Sequence, residues 1–342
     1  MIRVAFYDTK PYDREWFDKF TENSDINIKY FESKLSEDTA VLASGCDCVC
    51  AFVNDTINKK VVDTLHTGGI KLIAMRCAGY NNIDFKAAYG KIHVVRVPAY
   101  SPYAIAEHGM GMLLCLNRKL HKAYIRTRDF NFSLNKLTGF DLHGKTAGIV
   151  GTGKIGKVFA QICKGFGMKV IAYDPYPSAE DIEYVDFKKL CSESDVISLH
   201  CPLTKENKHI ICEKTIDKMK NGVYIINTSR GALIESTALI EGLREGKIGG
   251  AALDVYEEEG DVFFEDMSDV TDRDEKLATL LSMPNVMITS HQAFLTDEAL
   301  ENIAAVTVEN IENHFSGKSV QNEICYNCLK NDCEKKSSGK CF

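Results

Sequence analysis

The residues Gly151-Thr152-Gly153-Lys154-Ile155-Gly156 follow the apolar run TAGIV and open the amphipathic run KVFAQICKGFG. In a strand-turn-helix setting this pattern serves phosphate binding. The first glycine permits the tight turn, the second lets a pyrophosphate approach the backbone, and the third lets the helix pack on the sheet. Free amides at the helix start then face the phosphates. The next strand, KVIAYD, ends in Asp174, 23 residues after Gly151, where an acidic residue accepts hydrogen bonds from ribose hydroxyls and repels a 2′-phosphate. No Arg follows in DPYPSAED, so the expected cofactor is NAD, not NADP. Arg230, in NTSRG after the strand VYIIN, can grip a carboxylate through two parallel hydrogen bonds, and it stands at a strand's carboxyl end, where α/β sheets place ligands. His291 follows the short strand MITS in the same way, one of nine histidines. Glu257, Glu258 and Glu259 are consecutive, and composition does not choose among them.

These residues need a scaffold, and the chain alternates strands with helices. IRVAFYD, NIKYFE, CVCAFV, KLIAM and HVVRV read as strands before Pro98; TAGIV, KVIAYD, DVISLH, VYIINT and AALDV read as strands after residue 145. The alternation implies an α/β protein with parallel sheets covered by helices on both faces. A length of 342 residues gives room for two domains. PAYSP marks the crossing, and Tyr103 to about Lys122 reads as a bridging helix with Ala104, Ile105, His108, Met112 and Cys115 near one face. TKENKHIICEKTIDKMK and STALIEGLREGK read as further helices, residues 260–276 as a solvated surface insertion, and Asp297 to Phe315 as a last helix returning to the first domain. A net charge of −7 opposes binding to nucleic acid or an anionic membrane surface. With no signal-peptide pattern and no long apolar run, the expected location is the cytoplasm, where the thirteen cysteines stay reduced.

GTGKIG with Asp174, and the runs INTSRGALIES, ALDVYEEEGDVF and SHQAF in that order, resemble the D-isomer-specific 2-hydroxyacid dehydrogenases, and within them the D-lactate dehydrogenases most. The resemblance implies two Rossmann-like or flavodoxin-like domains with the active site in the cleft between them. Residues 1–100 with 299–324 would form the substrate domain, and 101–298 the NAD domain. It also selects Glu259, because the family's catalytic Glu lies five residues after the Asp of the DVY motif, here Asp254. Reducing a 2-keto acid requires a cation for its carboxylate, an acid for its ketone oxygen and a group that holds the acid charged. Arg230, His291 and Glu259 would fill those roles. Asp254 would lie near the nicotinamide. The segment His200-Cys201-Pro202 would line the adenosine side, Asn207 would lie beside the phosphates, and Thr228 and Ser229 would run along the cofactor.

For the substrate, the resemblance implies that the backbone amides of Ala78 and Gly79 in RCAGYNNID and the Tyr100 hydroxyl meet the carboxylate, while Phe52 and Phe294 wall off the far end. Aromatic side chains at those two places go with pyruvate in the family. Larger keto acids such as 2-ketoisocaproate or phenylpyruvate are the alternative, and an NADH-sensing binding protein is a second one. A homodimer through the NAD domain is implied as well. The ending is not the family's: Cys325, Cys328, Cys333 and Cys341 crowd the last 18 residues. Their spacing lacks paired CxxC knuckles, so residues 325–342 read as a mobile, redox-sensitive tail and no metal is expected, with a zinc site the minority reading. Cys46, Cys48 and Cys50 share a strand face and read as packing. Cys77 and Cys201 sit beside the substrate and cofactor segments and could confer thiol sensitivity.

Overall fold

The computed structural model describes all of the chain except residues 260, 261, 265, 272, 331, 332, 334 and 336–340. It divides into two compact units, Met1–Ser101 with Leu295–Phe342, and Pro102–Phe294. Residues 325–342, set apart as a tail by the sequence reading, fall in the first unit.

The first unit carries β1 (Ile2–Phe6), β2 (Ile26–Tyr30), β3 (Cys48–Ala51), β4 (Leu72–Met75) and β5 (His93–Arg96) in one parallel sheet of order β2-β1-β3-β4-β5. All four residues of β3 are fully buried, which is why the run CVCA shows no apolar-polar alternation. The cysteine face read from the sequence is therefore packed core. A last strand, β13 (Glu323–Ile324), adds antiparallel to β5, with Glu323 opposite Val95 and Ile324 opposite Val94. Before it, helix Asp297–Phe315 starts at Thr296, whose hydroxyl accepts from the Ala299 amide, and packs on helix Pro11–Thr21 and on β4.

The second unit carries β6 (Thr146–Val150), β7 (Lys169–Tyr173), β8 (Glu183–Tyr184), β9 (Val196–Leu199), β10 (Val223–Asn227), β11 (Ile248–Leu253) and β12 (Val286–Ile288). Their order is β8-β7-β6-β9-β10-β11-β12, all parallel. Successive strand residues face different cores. Val196 and Ile226 join a cluster with Met110, Leu113 and Phe159 of helices Pro102–Arg118 and Lys154–Gly165. Ile197 and Ile225 join another with Leu239, Leu243 and Leu280 of helices Ser236–Arg244 and Glu275–Ser282. The direction of winding reverses between β6 and β9, so the glycine run after β6 lies at the topological switch point, the ligand crevice of such sheets.

Three expected segments differ. The bridging helix ends at Arg118, because Lys119 adopts a left-handed φ of +52°, and a second helix runs Leu120–Arg128. Of the helix expected over TKENKHIICEKTIDKMK, only Glu213–Ile216 is helical. His209 takes φ +55° to donate to the Ala232 carbonyl, and Ile211 bridges Ile234, so pairing with a neighbouring segment overrides the helical period. Within the insertion 260–276, Phe263 is buried against the same core as Leu277 and Leu280, so the described part is not wholly solvated.

Candidate active site

The glycine turn is shaped for close approach. Gly151 has φ +93°, and a Cβ there would lie 2.7 Å from the His200 carbonyl oxygen. A Cβ on Gly156 would lie 2.0 Å from the Gly151 oxygen, whereas one on Gly153 would meet nothing within 4 Å. The space over Gly153 is open to a pyrophosphate. Gly153 caps helix Lys154–Gly165 without a side-chain partner, leaving the first helical amides, from Lys154 and Ile155 onward, directed at that space. At the end of β7, the Asp174 carboxylate accepts from the Thr152 amide (2.7 Å), the Thr152 hydroxyl (3.0 Å) and the Tyr176 amide (2.8 Å). Burial opposes its charge, but these donors outweigh it and hold the carboxyl below its ordinary range.

Across the sheet, β9 ends in His200-Cys201-Pro202. Burial pushes the His200 imidazole well below its ordinary value and the Cys201 thiol up to about 11. That shift lowers the thiolate fraction of Cys201 and with it the reactivity behind the expected thiol sensitivity. Cys77, in the first unit, is buried, which disfavours its alkylation too. The Asn207 carboxamide accepts from the Thr204 amide (2.7 Å) and donates to the Pro202 carbonyl (2.7 Å), closing its own loop. The side chain thus shapes the loop that the sequence reading places beside the phosphates. Ser229 likewise donates its hydroxyl to the Cys201 carbonyl at 2.6 Å. Thr228 behaves differently: its hydroxyl oxygen is buried without a hydrogen-bond partner among the described residues. That orphan, the opening over Gly153 and the preorganised Asp174 fit a dinucleotide.

Beyond the carboxyl ends of β10, β11 and β12 lie Arg230, Glu259 and His291. The Asn227 side chain accepts from the Ser229 amide (3.0 Å) and donates to the Arg230 carbonyl (2.9 Å), fixing the turn that carries Arg230. One guanidinium nitrogen of Arg230 donates to the Ser229 carbonyl at 2.6 Å, and no carboxylate of its own unit pairs with it among the described residues. Gly231 locks this turn to the next. A Cβ there would sit 2.0 Å from the Tyr256 carbonyl oxygen. Glu259 then accepts from the Tyr256 amide (2.9 Å) with one oxygen and meets His291 Nδ1 (3.0 Å) with the other. Glu257 is engaged with His209 and Ser236.

Asp254 organises the histidine's loop. It is wholly buried; its carboxylate accepts from the Thr289 hydroxyl (2.5 Å) and from the Gln292 and Ala293 amides (2.9 Å each), and His108 lies 3.5 Å away. Its carbonyl takes the His291 amide at 2.7 Å, holding that residue at φ +54°. Asp254 is thus a positioning residue for His291. Thr289, His108, Asn227 and Gly231 were not legible as site residues, since only their partners in space give them roles.

A pH-dependent result follows. Burial would raise the Asp254 carboxyl, but bonds from His108, Thr289, Ala293 and Gln292 hold it below its ordinary value. A depressed acid contributes stability that is present above its unfolded value near 3.9 and is lost as pH falls through the folded one. Asp254→Asn puts a donor opposite one of the loop amides and is expected to cost about 1–3 kcal/mol at neutral pH. Urea unfolding from neutral pH downward checks it: the gap between parent and variant narrows below about pH 4. A gap that stays constant on acidification refutes the assignment.

In the first unit, the amides of Ala78 and Gly79 have no acceptor among the described residues, while the Ala78 carbonyl is held by Arg96 at 2.8 Å. Asn82 and Asp55 pin the Phe52 backbone, and the Phe52 ring is buried beneath the Arg76 guanidinium. Asn302 donates to the Tyr100 carbonyl. Phe294, in the second unit, is buried as well.

Residues 110–293 match the family model for the D-isomer specific 2-hydroxyacid dehydrogenase NAD-binding domain. The chain belongs to that family. The D-lactate dehydrogenase of Escherichia coli (strain K12) is 51% identical over 328 residues, which span 94% of this chain and all of that protein. Its solved apo-structure superposes with a TM-score of 0.87 at 50% identity, covering 94% of this chain and 100% of that one. The pyruvate reductase of Chlamydomonas reinhardtii superposes with a TM-score of 0.90 at 42% identity, covering 94% and 98%. This 2-hydroxyacid dehydrogenase is accordingly an NAD-dependent oxidoreductase, and Gly151–Gly156, Asp174 and Thr228 are the residues whose geometry suits its cofactor.

Proposed function

We propose that the enzyme reduces pyruvate to D-lactate, and the reverse, using NADH. The Glu259–His291 contact at 3.0 Å, held beside Arg230 at one end of the NAD sheet, carries this reading. The names of the two relatives support pyruvate as substrate. NADH, when bound, supplies the hydride. The chain's own residues manage charge and protons. Glu259 engages Nδ1 of His291, which leaves Nε2 to give its proton to the ketone oxygen during reduction and to take it from the hydroxyl during oxidation. In the second unit, Arg230 keeps donors available for a carboxylate. In the first, the Ala78 and Gly79 amides are equally available. Phe52 and Phe294 are aromatic at the two places that the family resemblance gives to the far end of the substrate, which supports a small acyl end over a branched or aromatic one.

A pocket discriminates one methylene by only about 1–3 kcal/mol, so the ranking of substrates is the test. We expect kcat/KM for pyruvate to exceed that for 2-ketoisocaproate and phenylpyruvate by at least that margin. A preference for a larger acid overturns the lactate assignment, and tight NADH binding without turnover of any keto acid favours a sensor.

We propose further that the enzyme works in the cytoplasm as a homodimer joined through the NAD unit. None of the thirteen cysteines is paired in a disulfide, which suits a reducing compartment. No described helix is long and apolar enough to cross a membrane. Leu120, Tyr124, Ile125, Phe130, Phe132 and Leu134 are all more than half exposed within fifteen residues of one another, an apolar surface that a second copy would cover. Ile125→Asp with Phe132→Asp is expected to yield monomers by light scattering; an unchanged mass rejects this interface.

A further inference from the structure

Cys325, Cys328, Cys333 and Cys341 do not trail from the protein. Their sulfurs all lie within 4.8 Å of one another. Cys325 stands 3.7 Å from Cys328 and 3.8 Å from Cys333, and Cys341 stands 3.6 Å from Cys328 and 3.7 Å from Cys333. None of these four pairs is singled out by a markedly shorter separation, as one would be if two disulfides were in preparation. A tetrahedral ion bound to sulfur at about 2.3 Å has ligand-to-ligand edges of about 3.8 Å. Four of the six edges of such a tetrahedron are already at that length, and the other two are no longer than 4.8 Å.

The surroundings hold them there. Cys325 follows β13 directly, so its position is set by the pairing of that strand with β5. The Cys341 amide donates to Glu323 at 3.1 Å, and the other oxygen of Glu323 meets His93 at 2.5 Å. Phe342 stacks on the His93 ring at 4.2 Å and meets Tyr89 edge-on at 5.2 Å. The last cysteine is thereby folded back beside the first, and both are buried. The segment YNCLKNDCEKKSSGK between them has only Tyr326 and Leu329 as large apolar side chains. Hydrophobic burial gives it little reason to close, whereas shared coordination does.

We propose that these four cysteines form a structural zinc site that fastens the C-terminus over the β5 edge of the first unit. Four thiolates in a closed tetrahedron suit zinc, a soft-tolerant ion without redox chemistry or geometric preference of its own, and leave no open position for catalysis. The arrangement departs from the mobile, metal-free tail read from the spacing: β13 places the CxxC turn, and the Phe342 stack with the Glu323 contact returns Cys341 to it.

The test uses the full chain purified under reducing conditions without chelator. Elemental analysis is expected to find zinc equimolar with protein, and Cys328→Ser with Cys333→Ser to lose it while retaining NADH binding and turnover. Cys212→Ser, outside the cluster, is expected to keep the metal. Replacing zinc with Co²⁺ in the parent protein reads the site directly, even where the double variant folds poorly: intense visible ligand-field bands with sulfur charge-transfer absorption support the tetrathiolate. Metal-free protein after incubation with Zn²⁺, stoichiometric iron in place of zinc, or two disulfides by mass spectrometry would each overturn it.

Discussion

His291→Asn is expected to lower pyruvate reduction about 10²- to 10⁴-fold, the usual span for loss of a positioned acid-base group, while NADH binds as before. Asparagine is chosen for the backbone. His291 holds φ +54°, a conformation that asparagine tolerates better than most side chains, so the loop keeps its shape and only the proton donor is removed. Its amide can still bond to Glu259 but cannot release a proton. Steady-state kinetics with fluorescence titration of NADH check this, and a loss of less than tenfold would remove His291 from the reaction. Because Glu259 acts through the imidazole, adding Glu259→Gln to His291→Asn is expected to change little more. Residues that work as one unit are not additive.

Arg230→Lys is expected to lower kcat/KM for pyruvate about 10²-fold, the equivalent of losing one charged hydrogen bond worth roughly 2–3 kcal/mol. The variant keeps the positive charge and gives up the planar fork, so the loss isolates two-point recognition from simple attraction. One guanidinium nitrogen already bonds to the Ser229 carbonyl, which aims the remainder. The turn itself does not depend on the side chain, being held by Asn227 and by the contact of Gly231 with Tyr256. Thermal stability and NADH affinity are therefore expected to stay level. If the KM for pyruvate is unaltered, the carboxylate is bound elsewhere.

Much of the NAD unit is legible in the amino-acid order because its determinants are local. A glycine that must adopt φ +93°, an acid at the next strand's end and apolar runs of strand length each report on their own neighbourhood. The same locality explains the failures. TKENKHIICEKTIDKMK has a helical period, yet a bridge from Ile211 to Ile234 outweighs it. The run from Tyr103 to about Lys122 also has a helical period, yet Lys119 takes a left-handed φ of +52° and divides it into two helices.

The residues alone thus determine the alternating α/β plan, the glycine turn, Asp174 and the placing of Arg230 and His291 after strands. Tertiary structure alone decides that Glu259 divides its two oxygens between the Tyr256 amide and His291, that Asp254 anchors the histidine's loop, and that four irregularly spaced cysteines converge. Backbone torsions and strand ends are set within a few residues, whereas a hydrogen bond or a ligand cage depends on which distant segments burial brings together.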